Sequence, residues 1–460
     1  MSRAGSSMVE QFPFKELVVG SSPSRLTFCD MKTSLHILPN KLRTLLIDTN
    51  AFPSVTCLLL VNAGSRFENK KNNGIAHFFE HMAFKGSKKY PSTAQLAELV
   101  EGFGGEFNAF TSKDYTGYYI KAPVEHTETM VDVLGDMITQ PLLDKGEIER
   151  EKGVISQEIS MYEDTPQRMI GQVFDSLLYK DTPLGMDIIG THETVGAATR
   201  KTFKDYMETY YYANNAVLVI SGGLSSGSSK ISEKSYVGYV SDHFGAWGQK
   251  NVPEYKPVKE NQSKPGIILK YKKSEQAHLC FGFRAFGEKD ERKYTLAVLS
   301  AILGVGMSSR LFAEVRERRG LCYAIGTYTD HYGDVGNMMT YAGVPTDIKK
   351  VQEAIKVIKF EHERMLAGNI SDKELNRAKE ILKGRLILSL EDTFNVGYVY
   401  GKQLLHEGKI KPVEQIIKRI QEVTASDVAL LANDVIKPSI SNLALIGPFK
   451  STTSFEKILS

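Results

Sequence analysis

Gly74-Ile75-Ala76-His77-Phe78-Phe79-Glu80-His81-Met82 and, further on, Glu147-Ile148-Glu149-Arg150-Glu151-Lys152-Gly153-Val154-Ile155-Ser156-Gln157-Glu158-Ile159-Ser160-Met161 are the stretches on which the reading of this chain turns. In the first, two histidines stand four apart with a glutamate three after the first, so on a helix all three project from one face. Two imidazoles so placed suit a borderline-soft divalent ion such as zinc, and a neighbouring carboxylate can take a proton from the attacking water. This inverted H-x-x-E-H order occurs among peptidase motifs. A catalytic zinc takes a third protein ligand and keeps one position open. The second stretch reads as a long helix offering Glu149, Glu151, Gln157 and Glu158. Glu151 and Glu158 lie two turns apart on one face, so one can ligate while the other supports from behind. Either carboxylate is a better ligand than the amide of Gln157.

Around these helices the pattern alternates between strands and helices. Ser34–Leu38, Leu46–Asp48 and Val55–Val61 read as strands, followed by helices over Gly74–Phe84 and Ser92–Phe103, the latter capped by Ser92 or Thr93 and stopped by Gly102–Gly105. Strands return at Glu106–Thr111 and Thr116–Ala122, then a helix at His126–Thr139. A comparable order recurs: a strand at His278–Phe283, a helix at Lys293–Leu303, strands at Ala324–Tyr328 and Asn337–Gly343, and a helix from Asp347. A shift of about 220 residues, the kind of internal period that marks duplication, brings Val124 onto Val344 and Val131 onto Val351. At a similar offset Val217–Ser221 resembles Leu443–Gly447. The prediction is an α+β chain of two homologous halves, each a largely antiparallel sheet packed with helices. The divisions are an N-terminal extension (1–31), a metal-binding half (32–244), an exposed linker rich in proline, charge and amides (245–266), and a second half (267–460).

Composition narrows the function class. The 57 basic and 54 acidic residues leave +3, too small a surplus to support a nucleic-acid partner. Cys29, Cys57, Cys280 and Cys322 are scattered without a C-x-x-C pair, which excludes a thiolate zinc site and a disulfide framework and fits a reducing compartment. Cys57 and Cys280 sit in apolar runs and read as buried, inert thiols. No stretch is apolar for long enough to span a membrane, and the N-terminus lacks a secretory layout. Arg3, Lys15, Arg25 and several serines suit a mitochondrial-type transit segment, against which Glu10 and Glu16 weigh.

The two motifs together resemble the pitrilysin and insulysin group of inverzincins, especially the branch similar to the mitochondrial processing peptidase beta subunit and to bacterial processing peptidases. The resemblance covers nearly the whole chain. His77 to His81 match the family's motif, and Glu151 and Glu158 match its distal glutamate pair at the usual spacing. It implies a zinc-dependent endopeptidase with one zinc per chain held by His77, His81 and Glu158, Glu80 as general base and Glu151 orienting the ligands. Gly104-Gly105-Glu106-Phe107-Asn108-Ala109-Phe110-Thr111-Ser112 resembles the family's substrate strand, which implies that Asn108, Ala109 and Phe110 bind an extended peptide by β-augmentation. Arg316 and Tyr323 match the family's arginine and tyrosine with six residues between, a pair that faces the zinc across a cleft and holds substrate backbone and oxyanion. Arg318 and Arg319 read as a solvated helix end.

In the second half the region equivalent to His77–His81 is Leu296–Leu303, which holds no metal donor, so this half is expected to be inactive and to supply Arg316 and Tyr323. Gly304-Val305-Gly306-Met307 is not the long glycine-rich loop of a noncatalytic partner subunit. The resemblance further implies a clamshell made with a second chain, as a homodimer or a heterodimer with a related subunit. It implies residence in a bacterial-type cytoplasm, with the mitochondrial matrix or a related organelle as the alternative. The competing expectation is a noncatalytic scaffold or a peptide-capturing subunit.

Overall fold

The computed structural model describes residues 31–50, 52–225 and 231–459. Its first sheet has the strand order β1-β2-β6-β3-β5-β4. These strands are β1 (Lys32–Ile37), β2 (Arg43–Asp48), β3 (Ser54–Val61), β4 (Glu106–Thr111), β5 (Thr116–Pro123) and β6 (Ala216–Gly222). The second sheet has the order β7-β11-β8-β10-β9. It is built from β7 (Gly266–Tyr271), β8 (Gln276–Phe286), β9 (Ala324–His331), β10 (Val335–Pro345) and β11 (Asn442–Gly447).

With β1 set aside, the two orders correspond strand for strand. Each sheet begins with a parallel pair, β2 with β6 and β7 with β11, and continues antiparallel. The paired segments Val217–Ser221 and Leu443–Gly447 fall on β6 and β11, and Val124 follows β5 as Val344 closes β10. The duplication read from the sequence is therefore a duplication of topology.

The first five helices of the first half are α1 (Ile75–Ala83), α2 (Thr93–Gly102), α3 (Thr127–Thr139), α4 (Lys145–Asp164) and α5 (Pro166–Leu178). Helix α4 extends beyond the expected Glu147–Met161 at both ends. Asp144 caps it by accepting from Gly146 N and Glu147 N, and the chain turns before Pro166, where a proline can open the next helix but not continue this one.

Strands β3 and β6 are buried almost from end to end, and such continuous apolar runs require cover on both faces. One face of the first sheet packs Cys57, Leu59, Val61, Leu218 and Ile220 against the half's own helices. The other packs Leu58, Leu60, Val217 and Val219 against Val396, Tyr400 and Leu404 of the helix Thr393–Glu407, which belongs to the second half. The exchange is reciprocal: Met169, Ile170, Val173 and Phe174 of α5 cover Cys280, Ala444 and Ile446 of the second sheet. Each such buried side chain contributes roughly 1.5–3 kcal/mol, so the halves form one interlocked body.

The stretch expected to be an exposed linker has no helix or strand between 247 and 265, but it is not free. Its Tyr255 ring lies 3.5 Å from the Arg66 guanidinium, and Val258 N donates to Asp334 Oδ2 at 2.8 Å. Arg66 is itself buried and bridges Asp114 of the first half (2.9 Å) to Asp334 of the second (2.8 Å). A buried guanidinium needs such paired acceptors, and the linker supplies the ring that closes over it.

Cys57, Cys280 and Cys322 are free and buried, and burial pushes the Cys322 thiol up to about 11. Cys29 and the transit-type segment lie outside the described residues. No described helix is long and apolar enough to cross a membrane.

Candidate metal centre

Helix α1 is held in place from outside its own sequence. Its N-cap, Gly74, sits at φ 91, where an added Cβ would lie 2.7 Å from the Ile189 carbonyl oxygen, so only glycine fits. Glycine offers no side-chain cap. Glu68, 3% exposed, takes that role: its Oε2 accepts from Gly74 N (2.8 Å) and Asn73 Nδ2 (2.9 Å), and its Oε1 from Ala76 N (2.8 Å). Burial pushes the Glu68 carboxyl up to about 8, opposed by these three N–H donors. Phe78, Phe79 and Met82 of α1 enter the core and turn the opposite face, with His77, Glu80 and His81, outward.

That face meets α4. Glu158 Oε2 lies 3.9 Å from His77 Nε2 and 3.6 Å from His81 Nε2, and the three candidate ligand atoms all fall within 4.8 Å of one another. Tetrahedral zinc with bonds of 2.0–2.2 Å sets its donors roughly 3.3–3.5 Å apart, so a small contraction suits the set to such an ion. Glu151, 3% exposed and two turns earlier on α4, contacts His81 Nδ1 through Oε1 at 2.8 Å, which leaves His81 Nε2 to face the donor set. Its other oxygen contacts Lys85 Nζ at 2.6 Å. Burial acts to raise the Glu151 carboxyl, but the bonds from His81 and Lys85 outweigh it and hold the group below the usual carboxylate range.

Burial, and secondarily the neighbouring His81, lowers His77 to about 3, so its imidazole is neutral and keeps a lone pair for a metal. His77 Nδ1 is buried with no hydrogen-bond partner among the described residues. Glu80 is raised, first by burial and further by Glu158, while a hydrogen bond and the neighbouring His81 pull it down. That bond comes from Thr111 Oγ1, which donates to Glu80 Oε2 at 2.6 Å.

Thr111 ends β4, the free edge of the first sheet, so strand and donor set are joined directly. Phe84 and Phe107 add a ring contact at 5.4 Å. Along β4, Asn108 is exposed, Ala109 is buried, and Phe110 packs against Phe394 and Tyr398 of the second half. The remaining carboxylate candidate, Glu149, is exposed and paired with Lys152, and Gln157 is exposed.

Arg316 and Tyr323 are not brought to the donor set by a hydrogen bond, ion pair or ring contact among the described residues. The Arg316 guanidinium lies 5.2 Å from the Tyr323 ring centroid and 4.6 Å from that of Phe312, and Tyr323 is 76% exposed. In the second half, Leu296–Leu303 lies in the helix Lys293–Gly304 with Leu296, Val298, Leu299, Ile302 and Leu303 buried, filling with apolar volume the place that holds donors in α1.

Sequence reasoning missed Glu68, Lys85 and the role of Thr111. Glu68 and Lys85 carry no motif, and Thr111 stands at the end of the substrate-like strand, where nothing in the sequence ties it to Glu80. Only the proximity of Lys85 to His81, four residues on, offered a local signal.

Residues 43–192 match the model of insulinase, peptidase family M16, and residues 197–382 that of the peptidase M16 inactive domain. An uncharacterized zinc protease of Bacillus subtilis is 36% identical over 89% of this chain and 97% of its own length. The chain belongs to peptidase family M16. Another family member, an uncharacterized zinc protease of Streptomyces coelicolor, is 33% identical over 90% of this chain and 89% of that protein. The family fold extends to solved structures. A protease from Helicobacter pylori matches with a TM-score of 0.84 at 23% identity over 91% of this chain and 100% of that one. The peptidase M16 inactive domain from Pseudomonas fluorescens matches with a TM-score of 0.83 at 18% identity, covering 91% and 98%.

Proposed function

We propose that this M16 chain is a zinc-dependent endopeptidase acting on extended peptides, with one zinc held by His77, His81 and Glu158. The observation that carries this reading is the convergence of those three donors beside a half-buried carboxylate, Glu80, near the free edge of a sheet. Zinc in such a site supplies Lewis acidity, polarising a carbonyl and making water more acidic. The protein's own groups do the rest.

Substrate adds as a strand along β4 beside Asn108, Ala109 and Phe110, which presents its backbone rather than its side chains. Glu80, its Oε2 held by Thr111, takes a proton from the attacking water and passes it to the departing amine nitrogen. Its raised affinity for protons brings it nearer the pH at which it must both take and give one. Glu151 orients His81. Half-buried Arg316 and exposed Tyr323 of the second half act on the substrate backbone and the oxyanion from a second subunit, either another copy or a related chain. The competing reading is a noncatalytic or peptide-capturing subunit. The complete donor set with its adjacent base favours catalysis.

Zinc analysis paired with hydrolysis of a quenched unstructured peptide tests the proposal. Wild type should hold about one zinc per chain and cut the peptide, Glu80→Gln should keep zinc and lose turnover, and Glu158→Gln should lose both. Full activity in Glu80→Gln, or wild type that neither holds supplied zinc nor cuts in the presence of a related subunit, would sink it.

A further inference from the structure

The Glu151 carboxylate has two oxygens and two partners. Oε1 meets His81 Nδ1 at 2.8 Å, and Oε2 meets Lys85 Nζ at 2.6 Å. Glu151 is almost fully buried, with a side chain 4% exposed, whereas that of Lys85 is 25% exposed. A chain of contacts therefore runs from solvent through an ammonium and a carboxylate to the imidazole that faces the donor set.

The backbone holds Lys85 at the right reach. It stands two residues beyond the end of α1, four after His81, and its N–H donates to Met82 O at 3.1 Å. Gly86 follows at φ 124, where an added Cβ would lie 2.6 Å from the Pro91 carbonyl oxygen, so the turn that carries Lys85 is tightly constrained. Glu151 comes from another helix, α4. Lys85 thus clamps α4 to the end of α1 through the same carboxylate that orients His81.

We propose that Lys85 is a positioning residue for the metal centre, acting through Glu151 on His81; this rests on the zinc-site reading given above. With Oε2 held by the ammonium, the carboxylate cannot swing away, and Oε1 stays opposite His81 Nδ1. That geometry holds the proton on Nδ1 and the lone pair on Nε2, the nitrogen that faces Glu158. Without Lys85, the carboxylate turns toward other donors or water and His81 loses the contact that selects its tautomer.

The test compares wild type, Lys85→Met and Lys85→Arg. Zinc affinity is read by chelator competition, the His81 tautomer by nitrogen NMR of the metal-free protein, and folding by thermal unfolding of that same form. Lys85→Met should bind zinc about tenfold or more weakly, in the range seen when groups behind a ligand are removed. Its His81 should shift from one tautomer to a mixture while the unfolding transition stays near that of wild type. Lys85→Arg, which keeps a cationic donor, should restore both readouts. Wild-type zinc affinity and a single His81 tautomer in Lys85→Met would overturn the role of Lys85 and leave the zinc site standing. Equal losses in Lys85→Met and Lys85→Arg would also overturn it, as would weakened binding explained wholly by unfolding. Wild type that binds no zinc would overturn the site and this inference together.

Discussion

Replacing Glu68 with methionine removes the acceptor that starts α1, the helix carrying His77, Glu80 and His81. Three N–H groups lose a partner, but Asn73 Nδ2 also donates to Asp187 O at 2.7 Å, so the uncompensated loss falls on Gly74 N and Ala76 N. A buried N–H left unpaired costs about 1–3 kcal/mol, which gives roughly 2–6 kcal/mol for the two. The burial that pushes Glu68 up to about 8 is relieved in the variant, which moves the expected net loss to the lower half of that range. Glu68→Gln retains one oxygen and should lose less. Urea unfolding of the metal-free protein, followed by circular dichroism, measures the stability change, and chelator competition measures zinc affinity. Because His77 is the third residue of α1, zinc binding should weaken along with stability in Glu68→Met. A variant with the wild-type unfolding midpoint and zinc affinity would refute the reasoning, since the helix would then need no cap from outside.

Thr111→Val keeps the side-chain size but removes the donor to Glu80, and a charge-assisted bond of about 1.4 kcal/mol corresponds to about one pKa unit. Glu80 must be ionised to take a proton, so the acid limb of kcat/KM should move up by about one pH unit at unchanged zinc content; an unmoved limb would count against Thr111. His362 is fully buried, with Nδ1 2.8 Å from Ile358 O, and burial lowers it to about 4 from 6.5. The unfolded chain therefore binds a proton that the folded chain does not, and stability should fall as pH drops from 6.5 towards 4, by up to roughly 3 kcal/mol. His362→Gln should flatten that part of a denaturation–pH profile. Phe174→Ala, on α5, should cost roughly 3–5 kcal/mol and speed hydrogen exchange in β11, which belongs to the other half. Exchange confined to α5 would refute the reciprocal cover.

The site and the fold were legible to different depths. His77, Glu80 and His81 were readable because a helix repeats locally: residues three and four apart share a face whatever the surroundings. Glu151 and Glu158 were readable for the same reason, two turns apart on α4. The duplicated sheets could be seen because β3, β6, β8 and β11 are buried on both faces and so appear as apolar runs. What covers those faces could not be seen. An amphipathic stretch such as Pro166–Leu178 announces that it buries one side but not against which sheet, and here the answer is the sheet of the other half.

By itself the sequence carried the resemblance to the family, the duplication, the candidate donor residues and the absence of donors in the second half, all read from residue type, pattern and spacing. Only the tertiary structure decided that Glu68 caps α1, that Thr111 holds Glu80 and that Lys85 and His81 share one carboxylate. It also decided that the linker closes over Arg66. These contacts join residues on different elements, and a carboxylate buried among N–H donors looks in sequence like any charged residue on a surface. The physical reason is that helix geometry is written in the backbone, whereas the partner of a buried charge is settled by which elements pack together.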